Sequence, residues 1–404
     1  LQLLREEQFA EAIKKLSLIG PNYGNYTLVC FQLADACTKA ERASIEPIAG
    51  DRPGDFRKRA MIALESMPES SVGPDPFTNQ IYFSGMAMLG RDLFRFKRFQ
   101  QMDDLATKLL DQLAKLRFND DEDKDRAIRN QLRFELVDIK LFARYGLADA
   151  AYQANNHAGV VTLLDSLVDS ISKDDNSQEK SNLQKNQQLG SALLILALRS
   201  NIQLGKIDRT DAVLEALDKI TGEGGDSTTN IIRLLAFLVR QQIDDLRKKG
   251  DKDALTKAIK GYGTILDKRV KKQKNVTTEF LRVLADCYSS MEEHAKAAAE
   301  LTKITPPKDI GPGSPEEMLY RRVQVELIRE LRLSKEADNV KKAREMMNTI
   351  LGTTAKPGWG RRDLQALKEQ GHLLETEEKL AEAFALWSDL TRRLARDAQK
   401  GGAV

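Results

Sequence analysis

Acid–base and metal chemistry turn first on histidine, and this chain of 404 residues holds three: His157, His294 and His372. They lie far apart in sequence, and no Ser/His/Asp or Cys/His arrangement can be built around them. His157 and His294 fall at equivalent places, each opening the second helix of a pair, which suggests a role in turns. A zinc site needs several Cys or His ligands at short spacing, and the sequence offers no such group. The cysteines are Cys30, Cys37 and Cys287. Cys30 and Cys37 share one helical stretch at about 10 Å, too far for a disulfide; pairing with Cys287 is possible but nothing in the sequence supports it, and buried thiols are the first reading.

Other stretches imitate chemistry without carrying it. Gly222-Glu223-Gly224-Gly225-Asp226-Ser227 lacks the preceding strand and the Gly-Lys-Ser/Thr ending of a phosphate loop, and reads as a flexible linker. Asp120-Asp121-Glu122-Asp123 lacks calcium-loop spacing and reads as the acidic start of a helix. The basic run Lys268–Lys274 falls where a helix should end, and cations suit that end of the dipole. A solvated terminus is the first reading there, a contact with an acidic partner the second. The expectation is therefore a chain without catalytic residues, metal or cofactor, and not an enzyme.

The elements that position these residues are helices. Hydrophobic residues make up 41% and charged residues 30%, enough apolar material for a core. Ala, Leu, Lys, Glu, Gln and Arg dominate, while aromatics (6%) and Pro (11) are scarce. Lys and Arg total 63 against 60 Asp and Glu, so overall charge makes no case for nucleic acid or an anionic membrane. The longest apolar run, Ala192–Leu198, is far below the ~20 residues of a membrane span. Leu1-Gln2-Leu3-Leu4 reads as the end of a helix already under way, so the chain reads as a fragment. A missing leader then has no weight, and a cytoplasmic location is favoured.

Apolar residues recur at intervals of three and four throughout. Breaks such as Gly20–Gly24, Gly73–Pro76, Lys173–Asn176 and Gly311–Pro315 come every 15 to 25 residues. The pattern predicts helices near 25–40, 54–67, 77–94, 97–117, 124–154, 157–171, 183–204, 208–220, 228–248, 252–271, 276–290, 293–304, 315–333, 335–351, 361–375 and 378–398. Ser314-Pro315-Glu316-Glu317 is a well-formed start: a capping Ser, Pro in the first turn, then acids.

One register returns along the chain. It runs Met86, Leu89, Gly90, Leu93, Phe99, Met102, Ala106, Leu109. It returns as Leu281, Leu284, Ala285, Tyr288, Ala297, Leu301, Ile304, and near the end as Leu367, Gly371, Leu374, Leu380, Ala383, Trp387, Leu390. Phe9, Ala12, Leu16 and Ile19 fit its second half, and Leu147, Ala148, Ala151, Val160, Leu164 and Leu167 form a weaker copy. This spacing resembles the tetratricopeptide repeat, a 34-residue helix–turn–helix family, over about five pairs and some 45% of the chain. The expected fold is all-α: an α-α superhelix of antiparallel helix pairs, a tetratricopeptide-like solenoid irregular in its middle. Residues 1–404 are read as one array with blocks at 1–118, 119–225 and 226–404. In the register, the small residue of the first helix (Gly90, Ala285 or Gly371) should admit the residue at the Ala position of the second (Met102, Ala297 or Ala383).

The resemblance also implies where binding occurs. In the family the first helices line a concave groove that takes a peptide or partner helix. Carried over residue by residue, that selects Arg91 and Phe94, then Phe142, Tyr145, Asp149 and Tyr152. Further along it selects Arg282 and Asp286, and in the last copy Lys368 and His372. The family's carboxylate clamp, a Lys and an Asn on consecutive helices, is not reproduced here. Phe94, Phe142, Tyr145 and Tyr152 are the candidate anchors, against the reading that they pack under the 124–154 helix. The implied function is a non-catalytic scaffold for a protein or peptide partner, with no nucleic acid. The alternative is a self-assembling, coat-like solenoid, so association with a second copy stays open. Tyr145 and Tyr152 should be largely accessible, and Leu147, Ala148 and Ala151 buried.

Overall fold

The computed structural model describes residues 2–45, 55–73, 75–116, 123–173, 177–222, 225–272, 276–307 and 313–399. About four fifths of them are helical, and the described residues contain no strand, only an isolated bridge between Gly352 and Pro357. The polypeptide divides into two compact units. One comprises Leu1–Leu204 and Asp208–Thr221, the other Gly205–Ile207 and Gly222–Val404.

The first unit holds α1 (Gln2–Arg5), α2 (Phe9–Leu16), α3 (Tyr26–Arg42), α4 (Asp55–Glu65), α5 (Pro76–Arg95) and α6 (Phe99–Lys115). It continues with α7 (Asp123–Gln153), α8 (His157–Ser172), α9 (Gln178–Lys185), α10 (Gln187–Gln203) and α11 (Ile207–Thr221). The second unit holds α12 (Gly225–Lys249), α13 (Lys252–Lys272), α14 (Thr278–Ser290) and α15 (His294–Thr302). It ends with α16 (Pro315–Leu333), α17 (Ala337–Leu351), α18 (Leu364–Thr376) and α19 (Leu380–Gln399). Within each unit consecutive helices form hairpins, and each hairpin packs on the next, an all-α, tetratricopeptide-like arrangement.

One turn joins the hairpins. Glu7, Lys97, Asn155, Gly205, Gly250, Glu292, Lys335 and Glu378 all have positive φ, and each lies between the two helices of a pair. The next residue's N–H then reaches back over the helix end: Arg98 to the Leu93 carbonyl at 2.9 Å, Asn156 to Ala151 at 2.8 Å, Glu293 to Tyr288 at 3.0 Å. This left-handed stop satisfies carbonyls that a helix end leaves open. Two of the eight use glycine, so six L-residues hold a backbone conformation that costs them roughly 1–2 kcal/mol each.

The predicted helices agree closely with the observed ones, including the long α7 and the start of α16, where the Ser314 hydroxyl accepts the Glu317 N–H at 3.1 Å. The helix read over 183–204 is two helices. Asn186 (φ −112°, ψ 70°) ends α9 and caps α10, its side chain accepting the Leu189 N–H at 3.2 Å. Helix α12 begins at Gly225, inside the stretch read as a linker; residues 223–224 lie outside the described residues. So do 120–122 of the acidic run and 273–274 of the basic run.

The close approaches differ from those the register implies. A Cβ on Gly90 would meet Ile139 of α7 at 2.8 Å, not Met102, so this glycine admits the neighbouring pair. A Cβ on Gly371 would fall 2.4 Å from the Trp387 ring, one turn beyond Ala383. Met102, Ala297 and Ala383 are nonetheless buried.

Candidate binding groove

Helices α12, α14 and α16 are first helices of consecutive pairs in the second unit, and their shared face forms an open groove of about 520 Å³. Its floor is Ala236, Phe237, Val283 and Ala285, and Phe237 is 57% exposed. Phe237 lies on α12 between Arg233 and Arg240, one helical turn from each, so all three share a face.

Charge is arranged across the groove in register. Arg233, Arg240 and Arg247 follow one another at seven residues on α12, two helical turns apart. Their partners are one pair further on. Arg233 meets Glu279, the Arg240 Nη2 donates to Asp286 at 2.7 Å, and the Arg247 Nη2 donates to Glu292 at 2.7 Å. Arg240 also donates through Nε to the Ser290 hydroxyl at 2.9 Å. The ladder continues from α14 to α16, where Arg282 grips Glu326 with two bonds of 2.8 and 3.2 Å. The outer pairs are about half exposed, so each contributes ~0–1 kcal/mol to stability.

At one end of the groove Glu330 is 1% exposed. It accepts from Ser289 at 3.0 Å and from Arg329 at 2.9 Å, and His294 Nδ1 lies 2.8 Å away. His294 therefore opens α15, as its spacing implies, and also ties that helix to α16. Beneath, burial pushes the Cys287 thiol up to about 12. Burial also raises the Tyr288 phenol, whose hydroxyl donates to Asp267 at 2.5 Å. All three cysteines are buried thiols, and none forms a disulfide.

The sequence-derived candidates divide three ways. Arg282 and Asp286 both line this groove, but they do not pair with each other: each is matched across to a neighbouring pair. Lys368 is exposed. His372 is half-buried, with its ring edge-on to Trp387 at 5.1 Å and Nδ1 3.0 Å from Glu375. That contact and the Trp387 N–H hold the Glu375 carboxyl below the usual range.

In the first unit the aromatic candidates behave as structure. Phe94 meets Phe142 edge-on and Phe99 at a tilt, each with centroids 5.5 Å apart, half-buried against the core that Leu89, Leu93 and Ile139 share. Phe99 occupies this place because Gly146 has no Cβ, which would fall 2.3 Å from the ring. Tyr145 and Tyr152 are half-buried rather than largely accessible, and Tyr152 packs on His157 at 5.4 Å with Arg199 at 5.9 Å. Ala148 is buried, whereas Leu147 and Ala151 are half-buried. Arg91 is exposed, 3.7 Å from Glu135. Asp149 accepts a long 3.5 Å contact from Gln153 on its own helix.

Arg233, Phe237, Arg240, Glu326 and Arg329 escaped the sequence reading. A signal for the first three existed. Arginines at 233 and 240 match acids at 279 and 286 at the same interval, with Arg247 meeting Glu292 one residue short of it, the mark of two helices side by side. The α12–α13 pair does not carry the repeat signature, so no register pointed there.

Among the described residues no group of three or more His, Cys, Asp or Glu is placed to hold a metal ion. No described helix is long and apolar enough to cross a membrane. No family model matches the chain. No curated protein matches it either. Among solved structures, the chain is similar to the crystal structure of the P58(IPK) tetratricopeptide repeat domain, at 11% identity and a TM-score of 0.23, over 98% of this chain and 96% of that one.

Proposed function

We propose that the protein is a protein-interaction scaffold whose second unit takes an extended polypeptide segment in the α12–α14–α16 groove. The observation that carries this reading is Phe237, an aromatic ring 57% exposed on the floor of a concave, charge-lined surface. Exposed aromatics at the centre of a groove supply binding energy that flanking polar groups then orient. The groove offers arginines and carboxylates in alternation, so the segment it fits carries both signs of charge around an apolar residue. Lone Phe substitutions test this without disturbing the core. A peptide array probed with the purified chain should yield sequences of that composition, and Phe237→Ala should abolish their capture. Capture that survives both Phe237→Ala and Arg240→Glu would place the binding surface elsewhere.

A second reading, self-assembly, draws on α19. Leu380 is 66% and Phe384 74% exposed there, with Leu394 on the same helix at 38%. An apolar helix face of this kind associates in proportion to concentration. Light scattering over a concentration series separates the readings, since a groove receptor keeps one mass throughout.

A further inference from the structure

The α17–α18 connection is not a short turn but a built loop. Gly352 (φ 63°) turns the chain, and the Gly358 N–H returns to the Leu351 carbonyl at 2.9 Å. A Cβ on Gly358 would fall 2.2 Å from the Ile350 carbonyl oxygen, so only glycine lets the loop lie this close over the helix end. Trp359 is clamped beneath the Arg321 guanidinium, 5.3 Å from the ring centroid. The result fixes Arg361, whose Nε donates to the Leu351 carbonyl at 2.9 Å.

Beside this loop is a cavity of about 550 Å³, with polar lining from Asn348, Thr349, Thr353, Arg361, Gln370 and Arg393. Its chemistry is unlike that of the groove. Two guanidiniums from separate elements, two hydroxyls and two amides line it, and no described carboxylate does. Arg393 has an ion pair with Asp389 on its own helix at 2.7 Å, which engages one of its nitrogens. The surrounding sequence reinforces the sign: from 346 to 362 there are Lys356, Arg361 and Arg362 and no acid.

We propose that this cavity is an oxyanion site for a phosphomonoester group, carried on a ligand larger than the ion itself. A single guanidinium suffices for a planar carboxylate. Two from different directions, with neutral donors around them, suit a tetrahedral dianion with three acceptor oxygens. The cavity exceeds the volume of a lone phosphate severalfold, leaving room for the group that bears it. Because the loop already holds Arg361 against the Leu351 and Gly352 carbonyls, one of the two guanidiniums is placed before a ligand arrives, which lowers the ordering cost of binding.

The test titrates the full chain at low ionic strength with four probes: inorganic phosphate, acetyl-Ala-phosphoSer-Ala-amide, the same tripeptide without phosphate, and acetate. The readout is the arginine side-chain Nε–H NMR signals. Saturable shifts at Arg361 and Arg393 are expected with both phosphorylated probes, with the tripeptide binding tighter than the free ion. The unphosphorylated tripeptide and acetate should leave these signals in place. Arg393→Gln should weaken phosphate binding about tenfold or more, and Arg329→Gln, in the separate groove, should not. Arg393 is exposed on α19, so its replacement keeps the fold, and Arg361→Lys serves as a second variant. Equal tightness for both phosphorylated probes would identify free phosphate as the source. Acetate binding as well as phosphate, binding indifferent to both arginine variants, or no saturation at millimolar concentrations would each overturn the proposal.

Discussion

The Arg57 guanidinium on α4 donates at 3.1 Å to Asp92 on α5, and the carboxylate is 3% exposed. Arg57 also reaches Glu41 and, at 3.4 Å, Thr38, both on α3, so one side chain ties three helices of the first unit. Removing the cation strands a buried carboxylate. Arg57→Met should destabilise the chain by about 3–5 kcal/mol in chemical denaturation, whereas Arg57→Met with Asp92→Leu should recover much of the loss.

The same carboxyl gives a pH dependence. Burial pushes the Asp92 carboxyl above the usual aspartate range, against the pull of Arg57. A raised folded-state value favours the protonated group, so this contribution is fully present at low pH. It is lost as pH climbs from the ordinary aspartate range through the raised value. Asp92→Asn should flatten that part of the stability profile, read from denaturation midpoints in a series of acidic buffers. An unchanged slope would mean that Asp92 titrates as it does unfolded.

His294 and Glu330 supply a similar tie in the second unit, 2.8 Å apart. His294→Ala should cost about 1–3 kcal/mol, since Glu330 then loses one of its polar neighbours while staying buried. Denaturation of the variant against the parent measures this.

Gly371→Ala should destabilise by overpacking on the order of 1–3 kcal/mol, because the new methyl meets the rigid Trp387 ring at 2.4 Å. Trp387 emission should shift with it. A neutral result would show that α18 and α19 can separate without loss.

The left-handed turn residues predict the opposite sign. Glu378, at φ 61°, holds a conformation that glycine adopts freely. Glu378→Gly should stabilise by about 0.5–1 kcal/mol, the relief of strain less the entropy that glycine loses on folding. A rise in the thermal midpoint checks it.

The helices were legible because helix pairing writes itself into a three-and-four periodicity that no tertiary contact needs to supply. Ser314-Pro315-Glu316-Glu317 and the long α7 show this, since capping and amphipathicity are local. Asn186 shows where locality fails: the polar, helix-compatible stretch Gln184–Gln188 holds no Gly or Pro, and the break is made by the Asn186 backbone and its side-chain cap to Leu189. The candidate site was less legible. Arg282 and Asp286, which line the groove, were selected because they sit in the repeat register. Phe237 and Arg240 were not, because their pair has the architecture without the signature. The aromatic set around Phe94 is half-buried for a physical reason. A residue on the first helix faces the groove or the neighbouring pair according to how closely that pair approaches, and Gly90 and Gly146 bring α7 in close.

The arginine ladder has a mechanical meaning. Each rung from Arg233, Arg240 and Arg282 joins one hairpin to the next and none closes within a hairpin, so the rungs act as springs between otherwise stiff blocks. The half-exposed rungs at Arg233 and Arg240 soften as salt screens them over a Debye length of ~8–10 Å, and the more buried Arg282 rung softens less. The coupling that these rungs supply between successive hairpins of the second unit is therefore weaker in concentrated salt than in dilute buffer.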